Sequence, residues 1–89
     1  MEIKYEIKYL EELVLKHIPA LPYTAKTLIK RVIEQRLLID PVSFGKPLRY
    51  SLKGHRRLRV GDYRIVYRIE LQNVIVVAIK HHKEIYEDF

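Results

Sequence analysis

Cysteine and tryptophan are absent from these 89 residues, and glycine occurs only three times. Without cysteine there is no disulfide, no thiolate metal site and no cysteine nucleophile. A reducing cytosol fits that composition. Serine occurs only as Ser43 and Ser51, neither in a nucleophile-elbow pattern, so serine hydrolysis has no support. No apolar run approaches the roughly 18 residues of a membrane span. The first residues, Met-Glu-Ile-Lys-Tyr-Glu-Ile-Lys-Tyr, alternate apolar with charged and lack the apolar centre of a signal peptide. Three glycines and four prolines exclude collagen-like and low-complexity chains, and 48% apolar with 31% charged residues is globular composition. The length suits one domain, residues 1–89. So short a chain buries a small share of its surface, which leaves a thin stability margin.

Acidic residues are scarce in one stretch. Residues 46–68 hold Lys46, Arg49, Lys53, Arg56, Arg57, Arg59, Arg64 and Arg68 against Asp62 alone, a net charge of +7. The segments before and after carry +1 and −2, so this stretch supplies the whole net charge of +6. Most of its cations are arginine, whose planar guanidinium suits bidentate phosphate contact. A concentrated basic stripe is the footprint of a polyanion partner.

Residues 2–7 alternate Ile3, Tyr5 and Ile7 with charged neighbours, the period of a half-buried strand. Residues 9–17 turn helical until Pro19 and Pro22. A longer helix is expected from about Thr24, as N-cap, to about Ile39, with Leu28, Ile29, Val32, Ile33 and Leu37 inward. Asp40-Pro41 ends it. Residues 41–54 read as a loop around a short ordered patch. Three strands follow at about 55–60, 63–70 and 74–81, turning at Gly61-Asp62 and around Gln72-Asn73. The last strand is continuously apolar and therefore central. The expected fold class is α+β: an N-terminal strand, a helical hairpin, a three-stranded antiparallel meander and a short C-terminal helix or tail.

A two-residue turn at Gly61-Asp62 fixes the hairpin register, opposing Val60 to Tyr63, Arg59 to Arg64 and Arg57 to Val66. Leu58, Val60, Tyr63, Ile65 and Tyr67 then share a core face, and Arg57, Arg59, Arg64 and Arg68 the other. Like charges opposed across a ladder are destabilising, a cost that either a bound phosphate or Asp62, Glu70 and the acidic tail would offset. Of His81 and His82, at the exit of the last strand, only one can join the arginine side. The four histidines have no clustered carboxylates, so neither a metal site nor a cofactor is expected.

Leu-Arg-Val-Gly-Asp-Tyr-Arg-Ile-Val-Tyr-Arg-Ile (58–69), followed by His-His-Lys-Glu-Ile-Tyr (81–86), resembles the RelE/ParE superfamily of type II toxin–antitoxin toxins. The resemblance covers essentially the whole chain and implies a RelE-like fold. RelE-like members are ribosome-dependent endoribonucleases that cut mRNA in the decoding site; ParE-like members inhibit DNA gyrase and are not nucleases. Carried over by position, Arg64 matches the phosphate-contacting arginine, and Arg57 and His55 match positions of catalytic lysines. Tyr86 matches the C-terminal active-site tyrosine, and His82 stands where many relatives have arginine. Arginine and histidine in place of lysine change proton-transfer capacity. Retention of the tyrosine favours the RelE branch.

On that resemblance the catalytic residues are Arg57, Arg64, His82 and Tyr86. Arg64 and Arg57 hold the scissile phosphate, His82 protonates the leaving group, and Tyr86 activates the 2′-OH or stacks on a base. Lys46, Arg49, Lys53, His55, Arg56, Arg59 and Arg68 are the expected RNA-binding set. The implied partners are the ribosome, mRNA and a cognate antitoxin, with operator DNA reached only through the antitoxin. No membrane is involved, and the location is cytoplasmic. The alternatives are a gyrase-directed ParE-like inhibitor and a catalytically decayed RNA-binding relative.

Overall fold

The protein is described over residues 4–81 from a computed structural model. Strand β1 (Glu6–Tyr9) leads into a wide, π-type helical turn at Leu13–His17. Helix α1 (Tyr23–Val32) runs on through a second π-type stretch, Ile33–Leu37. A short α2 (Pro41–Phe44), a two-residue β2 (Lys46–Pro47) and a 3₁₀ turn (Tyr50–Leu52) follow. The chain then meanders through β3 (His55–Val60), β4 (Tyr63–Glu70) and β5 (Asn73–His81). The sheet order is β1-β5-β4-β3-β2, with β1 parallel to β5 and the remaining neighbours antiparallel. The apolar β5 is therefore interior, as its sequence predicts.

Several boundaries differ from expectation. The first strand lies at 6–9, where Glu6 to Tyr9 pair with Asn73 to Val76 of β5. Thr24 is not a cap; α1 begins one residue earlier, after Pro22, with no side-chain cap. The stretch 41–54 is more ordered than a loop. Asp40 caps α2 by accepting a hydrogen bond from Ser43 N at 3.2 Å, and Pro41 stands at the first helical position, where its missing N–H costs nothing.

The helical layer is held by one i, i+4 ridge. Ala25, Ile29, Ile33 and Leu37 are buried against Leu58, Val60, Ile65, Tyr67, Val74, Val76 and Ile79, with Leu13 closing the end. Each large aliphatic so buried stabilises by roughly 1.5–3 kcal/mol. Leu28, expected inward, is exposed, and Val32 is only partly covered. The ridge runs through a looser π-type turn, in which Leu38 N bonds to Ile33 O five residues back.

Both hairpin turns have two residues. Gly61 has φ +58° whereas Asp62 is not in the left-handed region, the pattern of a type II′ turn. The second turn is Leu71–Gln72, one residue earlier than expected, because Asn73 already pairs with Glu70. Leu71 has φ +56° and is 94% exposed, so its side chain offsets none of the backbone strain. Leu71→Gly should stabilise the fold by roughly 0.5–1 kcal/mol, a rise in Tm of about 2–8 °C for a domain this size. Thermal denaturation followed by circular dichroism reads it.

Candidate functional site

The hairpin register is as the turn dictates: Val60 opposes Tyr63, Arg59 opposes Arg64, and Arg57 opposes Val66. Leu58, Val60, Ile65 and Tyr67 enter the core. Arg57, Arg59, Arg64 and Arg68 therefore lie on the opposite face. Lys46 of β2 pairs with Arg57 and joins them at the sheet edge. His55 pairs with Arg68, and its Nδ1 is buried without a hydrogen-bond partner. Val66 belongs to this face as well; it is fully buried yet stands apart from the core cluster, an apolar floor among cations.

Strand β5 adds a cation that its alternation hides. Val66 pairs with Ala78 but Tyr67 pairs with Val76, so Val77 is an extra, bulged residue. A bulge reverses which side the following residues face. Val74, Val76 and Ile79 are consequently the buried positions, and Lys80 pairs with Arg64 on the arginine face. Lys8 of β1 pairs with Ile75, which pairs with Arg68, and so extends the cationic face across the sheet. Neither lysine belongs to the set expected from sequence. The same bulge turns His81 towards the core side, where its ring meets Tyr63 edge-on with centroids 5.3 Å apart. His82 and Tyr86 lie outside the described residues.

The charges are not equivalent. Arg68 Nε donates to Glu70 at 3.3 Å, and Lys8 pairs with Glu6 at 3.5 Å. That end of the face is partly neutralised. Arg59 Nε donates to Gly61 O at 3.3 Å, which bends it towards the turn. Arg64 sits at the centre. Burial lowers its pKa from the usual arginine value, and Arg59 and Arg57 lower it further, while Asp62 acts the other way. Arg57, Arg59 and Arg64 thus share one electrostatic field, and the Arg64 guanidinium stays charged near neutrality.

Arg56 is the residue whose placement departs most from the expected RNA contact. Alternation puts it on the core side with Leu58, opposite Tyr67. Its Nη1 donates to Val42 O and Gly45 O, each at 2.9 Å. Arg56 braces α2 and β2 and thereby holds Lys46 beside Arg57. Arg49 and Lys53 are exposed in the β2–β3 loop, beyond the sheet. Among the described residues no three His, Asp or Glu side chains cluster as metal ligands.

On the other side of the sheet, an apolar groove of about 390 Å³ opens between β1 and the helices. Ile7, Tyr9, Ile18, Leu21, Ile29, Ile33, Leu38 and Ile79 line it, with Lys26, Lys30 and Glu34 among its polar residues. Burial, and then Glu34, raise the pKa of Tyr9 there.

A family model described as the ParE toxin of type II toxin–antitoxin system, parDE, matches residues 8–86. The chain is 39% identical over 49 residues to Toxin RelG of Mycobacterium tuberculosis, covering 53% of this chain and 56% of that protein. It is 53% identical over 34 residues to Toxin RelE of the same organism, covering 38% of this chain and 35% of that one. The match thus spans about half the length of the first relative and a third of the second. The fold is similar to that in the toxin–antitoxin complex RelBE2 of M. tuberculosis, with TM-score 0.82, 25% identity and 91% and 94% of the two chains covered. A RelB–RelE complex from Methanococcus jannaschii shares the fold at TM-score 0.70 and 23% identity, over 92% and 98% of the chains.

Proposed function

The chain belongs to the ParE toxin family of type II toxin–antitoxin systems, within the RelE/ParE superfamily, and we propose that it acts as a ribosome-dependent endoribonuclease that cuts mRNA and stops translation. The observation that carries this reading is the arginine cluster. Arg57, Arg59 and Arg64 stand together on one sheet face, with Arg59 directly opposite Arg64 across the ladder. A solvated surface kept only for solubility gains nothing from opposing like charges across a ladder. Three guanidinium groups on one face offer bidentate contacts to a phosphate.

RNA brings its own nucleophile, the 2′-OH, which attacks the adjacent phosphorus in line. A 2′,3′-cyclic phosphate forms as the bond to the 5′-oxygen breaks. The protein must align that attack, stabilise the charge building on the non-bridging oxygens and protonate the departing oxygen. Arg64 and Arg57 take the scissile phosphate, with Lys80 adding positive charge in the same row as Arg64. Arg59, tied back to its turn, positions substrate. We assign protonation of the leaving group to His82, and activation of the 2′-OH or stacking to Tyr86, both on the resemblance. Lys46, Arg49 and Lys53 contribute salt-sensitive backbone contacts. The reaction takes place in the cytoplasm, where the ribosomes are.

The solved relatives named above are toxin–antitoxin complexes, and we propose a cognate antitoxin here as well. The apolar groove between β1 and α1 offers such a partner a face to cover. The parDE description of the family favours one second reading, a gyrase-directed inhibitor that does no chemistry. Induction in cells, with protein synthesis and DNA breakage followed together, separates the two. The nuclease reading expects protein synthesis to stop first with DNA intact. Early DNA breaks with intact messages would transfer the assignment to gyrase.

A further inference from the structure

We propose that Tyr50 is a stacking platform for an unpaired nucleobase of the bound RNA, a contact outside the reacting phosphate. The inference rests on the RNA reading above and adds a base-contacting residue to it. Tyr50 is 92% exposed, so its ring contributes nothing to the core. It also has φ +60°, a conformation that costs a side-chain-bearing residue on the order of 1–3 kcal/mol. Glycine would adopt it freely. Local hydrogen bonds hold the backbone there: Leu52 N to Arg49 O at 3.2 Å, Lys53 N to Tyr50 O at 3.0 Å and Leu48 N to His55 O at 2.9 Å. A strained, solvated tyrosine is thus fixed between two exposed cations, Arg49 and Lys53.

The loop joins Pro47 of β2 to His55 of β3, at the end of the cationic face away from Gly61. At about 3.3 Å per strand residue, it begins roughly 13 Å from the Arg59–Arg64 row. That lies within the span of a bound single-stranded segment of a few nucleotides. A cationic track with an aromatic ring beside it is the arrangement that binds single-stranded nucleic acid, phosphates on the track and a base on the ring. Among the described residues the other widely exposed tyrosine, Tyr23, is flanked by Pro22 and Thr24 at the start of α1, with Lys26 its one near cation in sequence, and has no backbone strain.

The test compares binding of a fluorescein-labelled single-stranded RNA and of inorganic polyphosphate of similar charge to the full chain and to Tyr50→Gly and Tyr50→Trp. Glycine suits the backbone, so Tyr50→Gly should melt at or above the wild-type temperature, and lost binding cannot be put down to misfolding. The expected result is a loss of about 5- to 150-fold in RNA affinity for Tyr50→Gly, unchanged polyphosphate affinity, and wild-type or tighter RNA binding for Tyr50→Trp. Wild-type RNA affinity in Tyr50→Gly, or equal losses for RNA and polyphosphate, would overturn the stacking role. A wild-type chain that prefers polyphosphate to RNA would also overturn it. The cleavage reading is judged separately, by message integrity in a translating extract.

Discussion

Arg64→Ala should abolish message cleavage, lowering the rate by at least about 10²-fold, the usual consequence of removing one preorganised group at a developing charge. The fold should persist. Arg64 lies on the face away from the core cluster, so the Ile65 and Tyr67 side of β4 is untouched. The change removes repulsion from Arg59 and Arg57 together with attraction to Asp62. Arg64→Lys keeps the charge but loses the planar fork, and should recover only part of the rate. Arg56→Ala should behave in the opposite way. It removes the brace on Val42 O and Gly45 O, so Tm falls while any residual folded protein still cuts. Circular dichroism and cleavage rates on the three variants check the pattern. Full activity in Arg64→Ala would end the assignment.

Gly45→Ala should be among the most damaging single changes to the fold. Gly45 has φ −101°, which any residue adopts, so the requirement is for space. A β-carbon there would fall onto the Tyr67 hydroxyl, 2.7 Å from the ring Cζ and 3.1 Å from Arg56 Cβ. Tyr67 cannot yield easily. It is fully buried, and its hydroxyl donates to Pro41 O at 2.6 Å. Overpacking costs about 1–3 kcal/mol, and a buried carbonyl left without its donor a further 1–3 or so. The expected fall in Tm exceeds about 10 °C. Tyr67→Phe removes the nearest of the obstructing atoms but leaves the ring Cζ, so Gly45→Ala should cost less, though not nothing, in that background, with a coupling of at least about 0.5 kcal/mol. Strict additivity would show that the hydroxyl is not the obstacle.

The same tyrosine gives a pH signature. Burial pushes the Tyr67 phenol up to about 12, with Arg56 opposing and Asp40 assisting. The folded state therefore favours the protonated form. Its contribution is complete below the ordinary tyrosine value of about 10 and is lost as pH rises through about 12. Tyr67→Phe should remove that component of alkaline unfolding.

How much of this could be read from the sequence depends on the range of the signal. Gly61-Asp62 is a local signal, and with strict alternation it yields the β3–β4 register and the arginine face together. The meander and the interior β5 follow from residues a few positions apart. The parallel pairing of β1 with β5 joins Glu6 to Asn73, and nothing at either position announces it. The bulge at Val77 was hidden too, because Val76, Val77 and Ala78 are apolar on either face and no glycine or proline marks the extra residue. Lys80 was missed for that reason. Arg56 differs: its alternation with Leu58 and Val60 already pointed to the core side, and the density of neighbouring arginines obscured it. Lys8 stood in plain alternation in the first strand, but its side of the sheet depends on the β1–β5 pairing.

The most direct test of the central claim is primer extension across a message in a translating extract, with the purified protein added and ribosomes either present or omitted. Cuts within codons that vanish without ribosomes, and that Arg64→Ala fails to make, are the predicted result. An intact message at a concentration of protein that stops growth would contradict it.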